Sequence, residues 1–451
     1  MKGTKYTTKE LLLERAKEAL GIPLKDIDIT GRLATGKGAI GTMIEECWFG
    51  YTPNSESEPD FPEAGVELKV IPYISGKTGI RAKERLVCSI IDYNEEFKKT
   101  FKTSSFWHKC QTMLLMVYES IKNRSKGDFI ISNALLFSAP DEDLAVIEHD
   151  WQIIMDKIRA GRAHEISEGD TMYLAACTKG ATAEKSFRTQ PFSDIKAKQR
   201  AYSLKQSYVS EILRRYVFGI EENEHIIKSV DDLHRTSFEQ LVIDKLKPYY
   251  GKSRDQLKAE LGIHSTAKNQ NELILAGMLG IKGRIANTAE FKKAGIIPKT
   301  IHIEPNGTIK ESMSFPTFDF IKLSKEDTWE ESALYNYLAP TKFLFVIFRK
   351  NAAGGSTFTS AQFWNIPAAD LDEVKTVWEK TVHIIREGVQ LTSTRRGICN
   401  NLPKKTDNPV AHVRPHAKDS NDTLPLPDGR RMTKQCFWLN NSYIRKFIKE
   451  Q

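Results

Sequence analysis

The chain lacks most of the features that mark a metal-folded, secreted or membrane protein. Its six cysteines (Cys47, Cys88, Cys110, Cys177, Cys399 and Cys436) are scattered and form no C-x-x-C pair. That spacing argues against a zinc site and a disulfide framework, and points to a reducing cytoplasm. The ten histidines include no H-E-x-x-H, and Pro415 falls between His412 and His416, which spoils a helical pair of metal ligands. No apolar run approaches the ~20 residues needed to span a bilayer. The opening MKGTKYTTKELLLERAKEALGI carries charge throughout and reads as an amphipathic helix without a signal-peptide core.

What is present is an ordinary globular composition with a basic excess. The 451 residues are 40% apolar and 27% charged, which supplies real cores, and the length implies two or three domains. A net charge of +8 favours an anionic partner, and without a membrane span nucleic acid fits best.

A long repeat organises the chain. D-F-P-E-A-G-V-E-L-K-V-I, from Asp60 to Ile71, returns 230 residues later (290 − 60) as E-F-K-K-A-G-I-I-P-K-T-I, from Glu290 to Ile301. Other anchors recur in the same order. Thr7-x-x-Glu10 and Ser253-x-x-Gln256 both read as capping boxes opening helices that end at Ile22 and Ile263. M-I-E-E-C-W-F-G reaches Gly50, and L-I-L-A-G-M-L-G reaches Gly280. Trp151 and Trp378 each stand ten residues before a glycine, and Tyr208 and Tyr443 close the two series. The helix ends, glycines, tryptophans and tyrosines recur in constant order at offsets between 227 (Trp151 to Trp378) and 241 (Ile22 to Ile263), which predicts two similar domains. The expected boundaries are 1–222 and 247–451, with 223–246 as a helical connector.

In the first copy, Val66, Leu68 and Val70 alternate with Glu67 and Lys69, as on a strand with one packed face. Asp60, flanked by Pro59 and Pro62, is expected at a turn facing the same cleft. Two carboxylates suit Mg²⁺, which prefers oxygen ligands, acidifies water and neutralises charge on a phosphodiester. Lys69 is then placed to orient the attacking water and screen the phosphate. Alone, D-x6-E-x-K is a commonplace surface pattern.

The longer string D-F-x-x-A-G-V-E-L-K-x-I-P resembles the active-site segment of the MutH-like nucleases, which include a mismatch-repair nicking enzyme and two-domain restriction endonucleases cutting GATC. These are members of the PD-(D/E)xK superfamily. The resemblance implies an α/β (mixed α+β) fold, each domain a mixed β-sheet flanked by helices, with Asp60, Glu67 and Lys69 catalytic. T-S-S-F-W-H-K, 103–109, is similar to the segment carrying a further active-site lysine, here Lys109. The family's helix glutamate, counted back from Asp60, falls on Glu46; counted from Lys37-Gly38 it falls on Glu45, and both remain open. Asp60, Glu67 and Glu46 are the implied metal ligands. Y-L-A-A-C-T-K-G-A, 173–181, resembles the loop that enters the major groove and makes Lys179 a base reader suited to guanine. A-Y-S-L-K-Q-S-Y, 201–208, resembles a DNA-contacting segment and implicates Tyr202, Ser203 and Lys205.

Two nucleotide motifs are decoys. G-R-L-A-T-G-K-G, 31–38, has glycine where a P-loop needs Ser or Thr, and G-K-G-A-I-G, 36–41, follows no buried strand. Trp151 and Trp378 recur among helical apolar residues and read as packing.

In the second copy Ile297 takes the place of Glu67, Ala276 that of Glu46, and Asp60 survives only as Glu290. A sec-butyl group cannot ligate a cation, so this copy is expected not to cut. Its A-H-V-R-P-H-A-K, 411–418, is similar to a family DNA-reading loop, with Arg414 and His416 as the contacts. The expectation is therefore a Mg²⁺-dependent type II endonuclease for GATC in double-stranded DNA. Two sites per active complex and a possible dimer on DNA go with it. The second domain is an allosteric reader, or else a scaffold. A repair-type nickase and a non-catalytic DNA-binding protein are the rivals.

Overall fold

A computed structural model describes residues 6–36, 38–53, 57–77, 79–179, 186–220, 224–265, 269–394 and 397–449. The chain divides into two compact units: 1–238 with 286–295, and 239–285 with 296–451. The first division, between Phe238 and Glu239, lies within the stretch 223–246. It falls inside a run of helices, and a short piece of the second copy returns to the first unit.

The first unit holds nine strands: β1 (Glu67–Gly76), β2 (Gly79–Ala82), β3 (Leu86–Ile90), β4 (Met113–Glu119), β5 (Ile131–Phe137), β6 (Leu174–Thr178), β7 (Phe187–Gln190), β8 (Ser193–Lys198) and β9 (Arg200–Leu204). They form a mixed sheet in the order β2-β1-β4-β5, a second sheet β3-β9-β6, and the hairpin β7-β8. The alternation in β1 works as the sequence predicts. Val66 and Leu68 are buried with Leu12, Ala16, Leu114 and Met116, each contributing on the order of 1.5–3 kcal/mol. Glu67 and Lys69 are thereby turned to the other face. The helix packed here, Lys9–Glu18, is capped by Thr8, whose hydroxyl accepts from the Leu11 N–H; the cap is one residue beyond the Thr7 expected.

The second unit repeats this plan with β10 (Ile296–Ile303), β11 (Met313–Thr317), β12 (Lys342–Lys350), β13 (Ser356–Trp364), β14 (Leu391–Thr394), β15 (Gly397–Asn400), β16 (Ala411–Pro415), β17 (Thr423–Pro425), β18 (Arg431–Thr433) and β19 (Gln435–Leu439). Its sheets are β10-β12-β13 and β11-β19-β16, with hairpins β14-β15 and β17-β18. Even the register is kept. Glu67 pairs with Met113 in the parallel β1–β4 ladder, and Ile297 with Phe343 in β10–β12, both shifted by 230. Each unit crosses between its sheets on one long helix, Asp141–Arg159 or Ala368–Glu387. Each helix buries its tryptophan, Trp151 or Trp378. Each also receives a tyrosine at its first turn: Tyr208 donates to Asp143 (3.1 Å) and Tyr443 to Asp370 (2.6 Å). The capping box at Ser253 and Gln256 forms reciprocally, at 3.2 and 2.8 Å. Among the described residues no helix is long and apolar enough to cross a membrane.

Candidate active site

A tight turn assembles the acidic cluster. Phe61 and Val66 bond to each other across it, and Gly65 completes it at φ +63°, a conformation that an L side chain rarely adopts. The turn folds Asp60 back beside β1: the Leu68 N–H donates to Asp60 Oδ2 (3.0 Å), and the Asp60 N–H donates to Glu67 Oε2 (3.2 Å). Glu67 is only 3% exposed. Lys69 Nζ reaches its Oε1 at 2.8 Å, and Lys109, from the helix Ser105–Cys110, stands at 3.6 Å from the same oxygen. Asp60, Lys69 and Lys109, from two sequence-separated segments, thus meet at the Glu67 carboxylate.

Of the two candidate helix glutamates, Glu45 lies with the cluster and Glu46 does not. The helix Ala39–Met43 runs into a π-turn at Ile44–Trp48, and the extra residue in that turn rotates its side chains. Glu46 swings out to an ion pair with Arg32 (2.6 Å). Glu45 stays with the cluster: burial, then the charges of Asp60 and Glu67, push its carboxyl up to about 7, against the pull of Lys109 and Lys69. Asp60 is raised for the same reasons, burial first and Glu67 second. Burial would lower the Lys69 ammonium, but Cys110, Glu67 and Cys88 outweigh it, so the lysine stays charged. Three carboxylates therefore face two ammonium groups, and the surplus negative charge is held partly by protons. Two contributors had no signature in the sequence, the buried thiols Cys88 and Cys110 beside Lys69. They come from separate segments, so only the fold unites them.

The family follows from two comparisons. The family model described as DNA mismatch repair enzyme MutH matches residues 49–150, the stretch that contains Asp60, Glu67, Lys69 and Lys109. Across its whole length the chain is 39% identical to the type II restriction enzyme Sau3AI of Staphylococcus aureus, over 487 aligned positions and 99% of each protein. The chain belongs to the MutH-like type II restriction endonucleases. The DNA mismatch repair protein MutH of Pectobacterium atrosepticum is 28% identical over 219 residues, 46% of this chain and 92% of that protein. MutH of Escherichia coli O139:H28 gives 28% over 217 residues, 46% and 93%. The repair proteins thus match about half of this endonuclease, and the restriction enzyme matches all of it.

As a site-specific deoxyribonuclease the chain binds DNA, and enzymes of this type generally use a divalent metal. The donor set here fits one. Among the described residues no three Asp, Glu, His or Cys side chains close into a cage, so a cation would be held by Asp60 and Glu67 with water completing its shell, as hard cations accept. Carboxylates driven to hold protons are what a cation would relieve.

The residues expected to touch DNA divide sharply. Lys179 follows β6, its N–H donating to the Gln199 carbonyl (2.8 Å), half-buried at the base of the loop. Residues 180–185 of that loop, and Lys37 of the glycine-rich stretch, lie outside the described residues. Tyr202, Ser203 and Lys205 do not reach a surface: they are 0%, 1% and 3% exposed. β9 is the middle strand of its sheet and is covered on both faces. Lys205 Nζ donates to the Thr171 carbonyl (2.5 Å), and its charge stabilises the buried Asp150 carboxylate. The DNA-contact expectation for these three is corrected to a core role. In the second unit Arg414 and His416 are exposed and share one tryptophan: the guanidinium lies 4.1 Å from the Trp438 ring centre and the imidazole meets it edge-on at 5.3 Å. The ladders show that Lys179 corresponds to His416, not Arg414. Each donates its N–H just beyond the end of its ladder, to Gln199 and to Lys434 (2.9 Å).

Proposed function

We propose that this restriction endonuclease cuts double-stranded DNA at GATC with Mg²⁺, and that its second unit is a DNA reader that promotes cutting by the first. The observation that carries this is the contrast between two clefts on one frame. The first gathers Asp60, Glu67, Glu45, Lys69 and Lys109. The second has Ile297 in the Glu67 register, Leu275 and Ala276 on the helix Gln270–Met278, and no basic residue in the helix Ala333–Leu338 before β12. The GATC assignment rests on the likeness of the Asp60–Pro72 segment to nucleases that cut that sequence.

Asp60 and Glu67 would hold the cation, which would supply charge neutralisation at the phosphate and a more acidic water. Lys69, fixed by Glu67, orients the attacking water and accompanies the developing charge on phosphorus. Lys109 adds a second positive charge on the same side. Hydrolysis leaves a 5′-phosphate and a 3′-hydroxyl. One catalytic unit cuts one strand, so a double-strand break takes two chains on one site or two successive nicks.

Supercoiled plasmid tests the whole reading. Linear product in Mg²⁺ and none in EDTA is expected, with ends that map to GATC on run-off sequencing. Lys69→Ala should still bind the plasmid and leave it uncut. Nicked circles alone would make the enzyme a nickase, and ends at another sequence would reject GATC.

A further inference from the structure

The second cleft lost its acids but kept its lysine. Lys299 occupies the register of Lys69 (299 − 69 = 230) on β10, on the same face as Ile297. In the first unit that lysine is matched by Glu67 at 2.8 Å. Among the described residues Lys299 has no such partner: the hydrogen bond it makes is a long one, 3.4 Å to the Ser314 carbonyl, and no carboxylate acts on it. Glu290, which stands where Asp60 would, accepts instead from the Ile226 and Ile227 N–H groups. Burial accordingly lowers the Lys299 ammonium.

The space around it is open. Lys299 lines a cavity of about 170 Å³ at the edge of β10, with His302, Ser314, two further lysines (Lys310 and Lys350) and two glutamates (Glu304 and Glu311). Lys350 is engaged by Glu304 (2.8 Å), while Nδ1 of His302 is buried with no hydrogen-bond partner among the described residues. The lysines of this cavity outnumber its glutamates, Glu304 is taken up by Lys350, and no carboxylate acts on Lys299, so the lysine is left to attract a phosphodiester directly.

We infer that Lys299 is a phosphate contact: the second cleft grips a backbone phosphodiester of duplex DNA through this lysine, without a metal ion. The inference rests on the second unit being a DNA reader, and it adds how that unit holds DNA. Removal of the acids converted a site that cuts into a site that clamps.

Fluorescence anisotropy of the full chain on GATC and scrambled duplexes, in EDTA and at several salt concentrations, provides the test. Lys299→Met should weaken binding five- to tenfold on both duplexes and make the slope of log K against log salt shallower by about 0.9, the signature of one lost phosphate contact. Lys299→Arg should restore both. If Lys299→Met unfolds the unit, Lys299→Gln carries the same expectation. Wild-type binding by Lys299→Met, while Arg414→Ala binds weakly, would overturn the phosphate contact and leave the reader intact. If neither substitution alters binding, the reader itself is rejected and the contact with it. Inorganic phosphate is the second probe. If it raises the melting temperature through Lys299 while DNA binding is indifferent to the lysine, the site takes a free anion and the DNA contact is wrong.

Discussion

Lys293 lies in the second copy of the site motif, in the helix Ala289–Ala294, yet it is part of the first unit. Its Nζ sits 2.8 Å from Asp143 Oδ1, with the two side chains only 7% and 4% exposed. Asp143 also accepts from the Tyr208 hydroxyl (3.1 Å). Lys293→Met keeps most of the side-chain volume and removes the charge, which strands a buried carboxylate. Breaking such a pair from one side costs about 3–5 kcal/mol. The tyrosine still bonds Asp143, so the lower half of that range is expected at neutral pH. The pH dependence has a definite sign. Burial, the largest influence, already raises the Asp143 carboxyl, opposed by Lys293; removing the lysine raises it further. A folded state that holds a proton the unfolded chain has released loses stability as pH rises from the ordinary carboxyl range through the raised value. The deficit of Lys293→Met should therefore be small near pH 4 and largest above pH 7. Urea unfolding followed by tryptophan fluorescence, fitted with separate transitions for the two units, measures it. Adding Asp143→Asn should recover at least about 2 kcal/mol, since the stranded charge is gone. A loss below about 1 kcal/mol at pH 7.5, or a double variant no better than the single one, would refute the reasoning.

Other expectations concern the site and the DNA face. Glu45→Gln should reshape the acid limb of Mg²⁺-dependent cleavage. The Glu45 carboxyl, pushed up to about 7, holds its proton below that pH, so the wild-type rate should rise about tenfold per pH unit on approach from below. Glu46→Gln should leave that limb in place, and an equal effect of the two would reject Glu45. Lys179→Ala should cost about 1–3 kcal/mol of discrimination between GATC and scrambled duplexes if it reads a base edge; equal loss on both duplexes would make it a phosphate contact. Arg414→Ala should slow cleavage of single-site DNA about fivefold or more and abolish stimulation by an uncleavable GATC duplex, in line with typical coupling between linked sites. Unchanged kinetics in both assays would leave the second unit a scaffold.

How much of this was legible in the sequence depended on how local the determining contacts are. The alternation in β1, the Ser253 capping box and the paired tryptophans are set by neighbours a few residues away, and each could be read directly. The 230-residue frame survived because the β1–β4 and β10–β12 ladders kept the same register. Glu45 and Glu46 could not be separated, because a π-turn inserts one residue between the count and the face. The likeness of 201–208 to a DNA-contacting segment implies a DNA contact at Lys205. Its burial is fixed by Thr171 and Asp150, which no spacing rule connects to it. The His416 match to Lys179 emerges only from the strand ladders, since the two loops differ in length.

The disarming of the second cleft is spread over several elements. Ile297 fills the strand position, the helix positions are apolar, the lysine-bearing helix has become A-L-Y-N-Y-L, and the Glu290 carboxylate is committed to the Ile226 and Ile227 N–H groups. Restoring a glutamate at Ile297 would place one acid beside Lys299 and rebuild an ion pair, not a metal site. The chain thus carries two copies of a nuclease frame without redundancy. A change at Ile297 alone therefore cannot rebuild the acidic cluster there. For a cell that harbours the enzyme this is an asymmetric hazard: the half without the acids cannot drift back, one step at a time, into a second cutter of its host's own DNA.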